Sequence, residues 1–357
     1  MQELFKGLKV VELASVLAGP SVGLFFAELG AEVLKVENPN SGGDVTRSWK
    51  LASEDQKHPF SAYYSSVNWG KKSVFWNLKK EKDFEELKKA ISSADVLLVN
   101  FKAGDAEKLG LDYESVKQLK SDIIYGSISG FGESKRIAYD VVLQAESGFL
   151  FMTGEAGGKP VKMPVALIDL LAAHQLKEGI LLAMLQQEKK KQAVKVSVSL
   201  FDAAIAALAN QATNWLMGNH IPQAMGSLHP NIAPYGECFV SADNKQIVLA
   251  VGNDKQFKAL CKLLNLEQIT KDDRYKNNQA RVNNRHLLAE ILSGKIMKWK
   301  RDDLLSQLIE HNVPAGAIRN MKEVFELLEA QERLLEETKE GELLKTVSGN
   351  AFKIEIG

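Results

Sequence analysis

The sequence is poor in cysteine, has no long uncharged apolar run, and has no excess of charge of either sign. Its two cysteines, Cys238 and Cys261, stand outside any CxxC or Cys/His ligand spacing, which argues against a disulfide framework and a structural zinc site. No apolar run reaches about 18 residues without a charge, so we predict no membrane span. The N-terminal stretch MQELFKGLKVVELA also lacks the pattern of a secretory signal. We expect a cytoplasmic protein without a metal site.

Charge and composition narrow the class of protein further. The 357 residues include 45 Lys plus Arg and 45 Asp plus Glu, so the formal net charge is zero, and we expect neither nucleic acid nor an anionic membrane as partner. The hydrophobic share of 45% is ordinary for a globular protein that builds a sizeable core. A chain of this length predicts two domains.

Motifs of several enzyme classes are absent as well. The six histidines form no HxxxH or HExxH spacing, and there is no Gly-x-Ser-x-Gly sequence, which disfavours zinc peptidase and serine hydrolase chemistry. The N-terminal strand–turn–helix pattern contains Gly19 and Pro20 but no GxGxxG, which disfavours a dinucleotide site despite Glu37 at the end of the second strand. Gly19-Pro20 suits a helix start whose free N–H groups face a cleft.

What the sequence does contain is a regular alternation of strand and helix patterns. Apolar runs rich in β-branched residues predict strands at 8–14, 31–38, 73–78, 95–101, 122–131 and 194–202. Helical patterns lie between them, such as the amphipathic segment at 81–94. We therefore predict an α/β domain with a mostly parallel sheet that is covered by helices on both faces.

The pattern changes near residue 222. A Pro-rich stretch at 229–236 precedes a predicted hairpin that turns at Asp243-Asn244, and helical patterns follow at 254–264, 278–293 and 301–312. We predict a large domain at 1–221, a smaller α+β domain at 222–325, and a C-terminal segment at 326–357 that returns to the large domain. Its last residues, SGNAFKIEIG, are predicted as a terminal strand.

One carboxylate lies in an unusually apolar stretch, PVALIDLLAAHQLKEGILLAML at 164–185. Burying an isolated charge is costly. Asp169 must therefore cap a helix, pair with another group or take part in a reaction. A helix pattern follows it directly, so residue type and spacing alone favour Asp169 as the helix N-cap. A helix start would keep the carboxylate ionised, and an ionised carboxylate in a dry pocket is a nucleophile toward activated acyl groups. The two interpretations are compatible.

Seven blocks of the sequence, in order, resemble the class III CoA-transferases, which include formyl-CoA:oxalate, carnitine and bile-acid CoA-transferases. Together the blocks cover nearly the whole chain. They read LKVVELASVLAGPSVGLFFAELGAEVLKVENPNSGGDVTRSW, VNWGKKSVFWNLK, DVLLVNFKAGDAEKLGLDYESVKQLKSDIIYGSISGFG, PVALIDLLAAH, KVSVSLFDAAI, HPNIAPY and NVPAGAIRNMKEVF. The resemblance implies a Rossmann-like large domain and a homodimer of two interlinked open rings, with the active site between the large domain of one subunit and the small domain of the other.

The resemblance also implies an activity, the transfer of CoA from an acyl-CoA donor to a free carboxylic acid. The family's catalytic aspartate falls on Asp169, which would attack the donor thioester to form a mixed anhydride. The released CoA thiolate would then attack the anhydride to give an aspartyl-CoA thioester, and an acceptor carboxylate would reverse the sequence. Coenzyme A, bound as acyl-CoA substrate, is the implied cofactor.

Further site residues carry over from the family's motifs. The resemblance implies CoA contacts at Val16, Lys79, Asn100, Phe101, Lys102, Lys108, Leu109 and Arg136. It implies a substrate pocket shaped by Arg47, Trp49 and Tyr139. Lysines in the first set suit a ligand that carries a 3′-phosphate and a pyrophosphate.

The chain also departs from the family. The segment at 132–140 is shorter than usual, VNFKAG stands where ENFRPG is usual, Ala173 stands where many members have Gly, and the glycine-rich mobile loop of the formyl-CoA branch is missing. Oxalate specificity therefore does not follow from the resemblance.

Two alternative functions stay open. α-Methylacyl-CoA racemases resemble the chain at its N-terminus but have a His-Asp pair where this chain has Tyr139-Asp140. Because a racemase needs a base and an acid on opposite faces of the α-carbon, the lack of that histidine favours the transferase. The other alternative is a non-catalytic CoA-binding paralogue, against which the intact Asp169 argues.

Overall fold

The computed structural model describes residues 3–355. Its internal packing divides the chain into two units. The first contains the chain up to Met152, Pro160–Pro222 and the chain from Glu332 onward, and the second contains Thr153–Lys159 and Gln223–Gln331. Nothing in the sequence indicated that the short piece Thr153–Lys159 packs with the second unit.

A six-stranded sheet forms the centre of the first unit. Its strands are β1 (Lys9–Glu12), β2 (Glu32–Glu37), β3 (Lys71–Phe75), β4 (Val96–Val99), β5 (Ile124–Ser129) and β6 (Val194–Ser199). They lie in the order β3-β2-β1-β4-β5-β6, and every neighbouring pair is parallel. The predicted α/β fold with a parallel sheet is confirmed, although the third strand begins two residues before the predicted start and ends at Phe75.

Helices accompany these strands in the first unit. They are α1 (Ala18–Glu28), α2 (Ala62–Asn68), α3 (Glu81–Ser92), α4 (Asp105–Leu109), α5 (Tyr113–Leu119), α6 (Asp140–Glu146), α7 (Phe149–Met152), α8 (Leu167–Lys189), α9 (Leu200–Ala206) and α10 (Ala209–Gly218). Two short 3₁₀ helices, Pro39–Ser41 and Val45–Ser48, follow β2.

Alternate residues of the central strands pack into two different layers. Val10 and Leu98 are buried with side chains of α1 and α8, whereas Val11 and Leu97 are buried with side chains of α3 and α5. Successive side chains of a strand point to opposite faces. Because both faces are covered, these strands are continuous apolar runs, which is why they could be recognised in the sequence.

The second unit combines a small antiparallel sheet with helices. Its strands are β7 (Tyr235–Val240), β8 (Gln246–Ala250) and β9 (Ala315–Ala317), in that order. Its helices are α11 (Asp254–Leu263), α12 (Asn278–Asn283), α13 (Arg285–Ile296), α14 (Arg301–Glu310), α15 (Met321–Phe325) and α16 (Leu328–Gln331), with a 3₁₀ helix at Glu267–Lys271. The single helix predicted at 278–293 is two helices, because the backbone leaves the helical conformation at Asn284.

The C-terminal part of the chain forms a hairpin of β10 (Leu334–Lys339) and β11 (Glu342–Val347). The predicted terminal strand at SGNAFKIEIG is wrong for residues 348–355, which form neither strand nor helix, and its last two residues lie outside the described range. The Ser348 hydroxyl and the Gly349 N–H donate to the Glu28 carboxylate at 2.6 and 2.7 Å. This segment is therefore fastened to the end of α1 by a side chain instead of a strand ladder.

The structure also describes the two cysteines, the apolar helices and the grouping of side chains that could bind a metal. Both cysteines are free thiols, Cys238 exposed and Cys261 buried. Among residues 3–355 no helix is long and apolar enough to cross a bilayer. Over the same residues, no group of three or more His, Cys, Asp or Glu side chains is arranged to hold a metal ion.

Candidate functional site

The loops that follow β1 and β4 lie where the strand order reverses, the point at which open parallel sheets bind ligands. Asn100, directly after β4, holds the first loop through both backbone groups of Ser15, accepting from its N–H at 3.1 Å and donating to its carbonyl at 2.8 Å. Asp44 accepts from the Val16 N–H at 3.3 Å. Val16 has a φ of 73°, a left-handed conformation that is rare for a β-branched residue. Two distant side chains thus fix the conformation of this loop.

Buried charges beneath the loop hold Asp44 in turn. Lys35 lies 3.0 Å from Asp44 and 2.9 Å from Glu12, and Lys71 lies 2.7 Å from Glu12. Burial lowers the pKa of Lys71 to about 7, although the charge of Glu12 opposes this shift. The loss of one partner would leave a buried charge unpaired. The conformation of the loop therefore depends on the ion pairs below it.

Three cavities of the first unit adjoin one another, and two of them are lined by Asp169. The first cavity, of about 640 Å³, lies beside the loops that follow β2, β3 and β4. The middle cavity, of about 390 Å³, shares Ser15, Val45, Asn100, Phe101 and Lys102 with the first. The third cavity, of about 610 Å³, shares Val16, Leu17, Tyr139, Asp140 and Asp169 with the middle one. Asp169 therefore stands at the boundary between the middle and third cavities.

Asp169 lies in the first turn of α8, but it is not the helix N-cap. The N-cap is Ala166, which has no capping side chain. Instead, the Asp140 carboxylate accepts a hydrogen bond from the Ile168 N–H at 2.7 Å and a longer one from the Asp169 N–H at 3.4 Å. The N-cap prediction for Asp169 is therefore wrong, because a carboxylate 29 residues earlier in the chain occupies the N–H groups of this helix start.

The protonation of Asp169 also differs from the expectation. Burial, followed by the negative charge of Asp140, raises the pKa of Asp169 to about 7. The prediction that the helix start keeps Asp169 ionised is contradicted, since the helix N–H groups bind Asp140 and no hydrogen bond from a described residue stabilises the Asp169 carboxylate. A pKa near neutrality makes both the protonated and the ionised form of Asp169 accessible at physiological pH, and an unsolvated carboxylate is a strong nucleophile when it is ionised.

Aromatic side chains surround this carboxyl group in the third cavity. Trp49, Tyr63 and Tyr139 all line it, and the rings of Trp49 and Tyr63 pack edge to face with centroids 5.1 Å apart. Burial and the charge of Asp169 raise the pKa of Tyr63, so its hydroxyl is protonated at neutral pH and can donate a hydrogen bond. Trp49 and Tyr139 were predicted as pocket residues, whereas Tyr63 was not.

The structure brings most of the predicted CoA contacts to the first and middle cavities. Those that line at least one of the two are Val16, Lys79, Asn100, Phe101, Lys102, Leu109 and Arg136. Lys79 and Lys102 place two cations on the wall of the first cavity. The Asn100 amide is already bonded to the Ser15 backbone, so its evident task is to shape the cavity.

Two predicted residues lie elsewhere. Lys108 is exposed, pairs with Asp105 at 2.7 Å, and lines none of the three cavities. Arg47 is buried between Glu37 at 2.7 Å and Glu340 at 2.8 Å and lines none of them either. Burial alone would raise the pKa of Glu37, but Arg47 outweighs it and lowers that pKa to about 2. Arg47 therefore joins the turn after β2 to the C-terminal hairpin.

Sequence reasoning missed three basic residues of the third cavity, Lys162, His174 and Lys177. His174 and Lys177 lie on α8, five and eight residues after Asp169. The spacing gave no clear signal for them, because at 3.6 residues per turn His174 is rotated about the helix axis by about 140° and Lys177 by about 80° from Asp169.

The arrangement suits a reaction at an acyl carbon. A carboxylate between two cavities can attack a carbonyl group whose acyl part lies on one side and whose leaving group lies on the other. The lysines of the first cavity offer positive charge to an anionic leaving group. The third cavity, lined mainly by apolar side chains, can receive the acyl part.

Comparison with known proteins gives concordant results. A sequence model of the family described as CoA-transferase family III matches residues 5–355. Succinate–glutarate CoA-transferase of Agrobacterium fabrum is 40% identical over 326 residues, covering 89% of this chain and 81% of that protein. Human succinyl-CoA:glutarate CoA-transferase is 36% identical and covers 90% of this chain and 73% of that protein. The crystal structure of a CAIB/BAIF family protein from Brucella suis superposes with a TM-score of 0.88 at 36% identity, over 99% of this chain and 93% of that one.

Proposed function

The chain belongs to CoA-transferase family III, and we propose that it carries CoA from an acyl-CoA to a free carboxylic acid by covalent catalysis at Asp169. It is a CoA-transferase whose substrates are acyl-CoA thioesters and carboxylic acids. The observation that supports Asp169 as the nucleophile is its place at the boundary of the middle and third cavities. A thioester carbonyl that spans this boundary has its CoA part on one side of the carboxylate and its acyl part on the other.

The proposed reaction begins when the ionised Asp169 attacks the thioester carbonyl. The C–S bond breaks, CoA leaves as a thiolate, and an aspartyl–acyl anhydride remains. The thiolate then attacks the Asp169 carbonyl carbon, which releases the donor acid as a carboxylate and leaves Asp169 as a CoA thioester. An acceptor carboxylate attacks this thioester, and the same steps in reverse deliver the new acyl-CoA and free Asp169. The energy of the thioester is conserved throughout, and the Tyr63 hydroxyl is a candidate donor to the oxyanions that form.

We place the nucleotide part of CoA in the first cavity and its pantetheine arm in the middle one. Lys79 and Lys102 supply positive charge there, as phosphate groups require. Trp76 and Phe101 supply aromatic surface on the same wall. The cavities are connected in the order that a CoA molecule ending at Asp169 needs.

We further propose a homodimer of interlinked subunits, as the family resemblance implies, with the active site completed by the small domain of the second subunit.

Mass spectrometry can test the proposed chemistry directly. The protein is incubated with acyl-CoA and a panel of free acids, including the succinate and glutarate for which its relatives are named, and exchange of CoA is followed. We expect exchange in the wild type and none in Asp169→Ala, with acyl-CoA binding retained. With acyl-CoA alone, the intact wild-type protein should gain the mass of CoA less one water, and after digestion this gain should lie on the peptide that contains Asp169.

Asp303→Ala, which removes an exposed carboxylate of α14, is the matched control and should leave exchange unchanged. Exchange that survives Asp169→Ala would show that the nucleophile is another group. Exchange of the substrate's α-proton with deuterated water, without transfer of CoA, would favour the racemase alternative. Acyl-CoA binding with neither reaction would favour a binding protein.

A further inference from the structure

The third cavity contains charged side chains that the proposed reaction does not use. Its walls are mainly apolar, but Lys162, His174 and Lys177 line it together with the acidic Asp140 and Asp169. A simple monocarboxylic acid needs only to present its carboxylate at Asp169. A half-buried lysine such as Lys177 in a mainly apolar cavity therefore calls for a second explanation.

Lys177 is the most constrained of these cations. It is half-buried, and its ammonium group lies 5.4 Å from the centre of the Phe25 ring. No carboxylate among the described residues lies within 4.0 Å of it, since the nearby Glu28 accepts instead from Ser348 and Gly349. Burial lowers the pKa of Lys177. A cation in this position gains from any anion that enters the cavity.

The helix sets the separation between Lys177 and Asp169. Eight residues of α-helix rise by about 12 Å. Helical side chains lean toward the N-terminal end, which moves both side chains the same way, and the greater length of the lysine brings its ammonium group closer to Asp169 than the two backbones are. Ala166, Leu170 and His174 line the same cavity from the same helix. The remaining gap suits a short chain with a carboxylate at each end, whose carboxyl carbons are separated by C–C bonds of about 1.5 Å each.

We propose that Lys177 binds the second carboxylate of a short dicarboxylic acid, while the first carboxylate or its thioester lies at Asp169. Lys177 is thus a specificity-determining residue, and the preferred substrates are the CoA half-esters and free forms of dicarboxylic acids with about four to six carbons. The apolar walls contact the methylene groups between the two ends. This inference rests on the proposed function and names the substrate class of the same site.

The other two basic residues are weaker candidates for this contact. Lys162 is exposed in the loop before α8, and its ammonium group makes a long 3.4 Å contact with the Met163 carbonyl. Partial burial of the His174 ring, together with the charge of Lys177, lowers its pKa. His174 is therefore neutral at pH 7 and offers a hydrogen bond without a charge. Both serve as comparisons in the experiment.

The test compares two acids that differ only at the far end, glutarate and pentanoate, as acceptors at saturating acyl-CoA. Lys177→Met keeps the length of the side chain and removes its charge. We expect it to raise the KM for glutarate about tenfold or more, as loss of a charge-assisted hydrogen bond would, and to leave pentanoate unchanged or improved. Lys177→Arg should retain part of the preference for glutarate. If pentanoate is not a substrate, its inhibition constant against glutarate replaces its kcat/KM.

Lys162→Met is the matched control and should change the glutarate-to-pentanoate ratio by less than about twofold, because an exposed lysine adds little. Exchange that depends on Asp169 but shows the same ratio in Lys177→Met and wild type overturns the Lys177 inference and leaves the proposed function standing. A loss of preference in Lys162→Met instead of Lys177→Met overturns it equally. Absence of exchange in the wild type, or exchange that survives Asp169→Ala, overturns the proposed function itself. Pentanoate activity and the thermal melting temperature report whether each variant is folded.

Discussion

At the scale of single residues, two carboxyl groups near the start of α8 have different surroundings. Asp140 accepts hydrogen bonds from the backbone of the helix start, as an anion at a helix N-terminus does. Asp169, buried within the first turn, has no such donor, and its pKa is raised to about 7. The pair therefore separates two tasks: Asp140 holds the helix, and Asp169 alternates between protonated and ionised forms near neutral pH.

The pH dependence of catalysis should report this arrangement. Because only the ionised Asp169 can attack, kcat/KM should rise about tenfold per pH unit below pH 7 and level off above it. Asp140→Asn keeps an oxygen acceptor for the Ile168 N–H but removes the negative charge. It should therefore move the rising limb of the pH profile of kcat/KM to lower pH. Initial rates of CoA exchange between pH 5 and 9 measure both. A limb at the same pH in Asp140→Asn would show that Asp140 does not influence Asp169 electrostatically.

The raised pKa of Asp169 also implies a cost to stability. The pKa of Asp169 is about 7 in the folded protein against 3.8 ordinarily. Between these pH values the unfolded chain binds fewer protons than the folded protein, so the free energy of unfolding falls as pH rises. The cost is absent below about pH 3.8 and fully present above about pH 7, and the shift corresponds to roughly 4 kcal/mol. Asp169→Asn should therefore raise the free energy of unfolding at pH 8 and change it little at pH 4.

Urea unfolding at the two pH values measures this difference. Asp303→Asn, which alters an exposed carboxylate, should show no comparable gain at either pH. An Asp169→Asn protein that is equally or less stable than wild type at pH 8 would contradict a raised pKa.

At the scale of helices and strands, the sequence was informative wherever a local pattern decides the structure. The runs around Val10 and Leu97 are buried on both faces, so apolar composition alone marked them as strands. The start of α8 was misjudged because its N–H groups bind Asp140, which is distant in sequence. The end of the chain was misjudged for the same reason, since Glu28 holds the backbone that an alternating pattern suggested was a strand. Contacts between distant residues do not appear in local periodicity.

A close approach between α8 and β6 gives a prediction at this scale. A Cβ added at Gly179 would lie 2.4 Å from a methyl carbon of Val196, and a β-branched side chain in a packed layer has little room to move. Gly179→Ala should therefore destabilise the protein by about 1–3 kcal/mol.

Gly294 in α13 is the matched control, because a Cβ there meets nothing within 4 Å. Gly294→Ala should stabilise the protein by about 0.5–1 kcal/mol, as expected for a helix interior. Val196→Ala combined with Gly179→Ala should recover part of the loss, which chemical denaturation of the wild type and the three variants would reveal. Similar effects of the two Gly→Ala changes would show that the approach to Val196 is not a constraint.

At the scale of the whole molecule, topology explains how the site could be predicted in part. Asn100 and Ser15 meet because β1 and β4 are neighbours with parallel directions, and their positions follow from the alternation of strands and helices. The place of Lys177 beside the third cavity depends on how α8 packs against α1, which no local pattern specifies. The candidate site was therefore predictable at the first and middle cavities and less so at the third.

An exposed apolar surface on the first unit supports the proposed homodimer. Phe151 of α7 and Trp215 and Leu216 of α10 line one surface cavity, and Met217 follows them in α10. Their exposed fractions are 52, 50, 72 and 85% in chain order. Large apolar side chains are rarely left in water as a group in a monomer, and aromatic and methionine side chains are enriched at subunit contacts. We expect a second copy of the chain to cover this surface.

Sedimentation equilibrium should accordingly give twice the 39.4 kDa chain mass at micromolar concentration. Leu216→Glu places a charge in the proposed contact and should raise the dissociation constant about tenfold or more. Leu182→Glu, which alters an exposed leucine of α8 outside the four-residue surface, should not.

A stable wild-type monomer would contradict the homodimer, whereas a dimer equally tight in Leu216→Glu would place the contact elsewhere on the chain. Loss of CoA exchange in step with dissociation would then follow from an active site that needs both subunits, since dilution would remove the partner's contribution to each site.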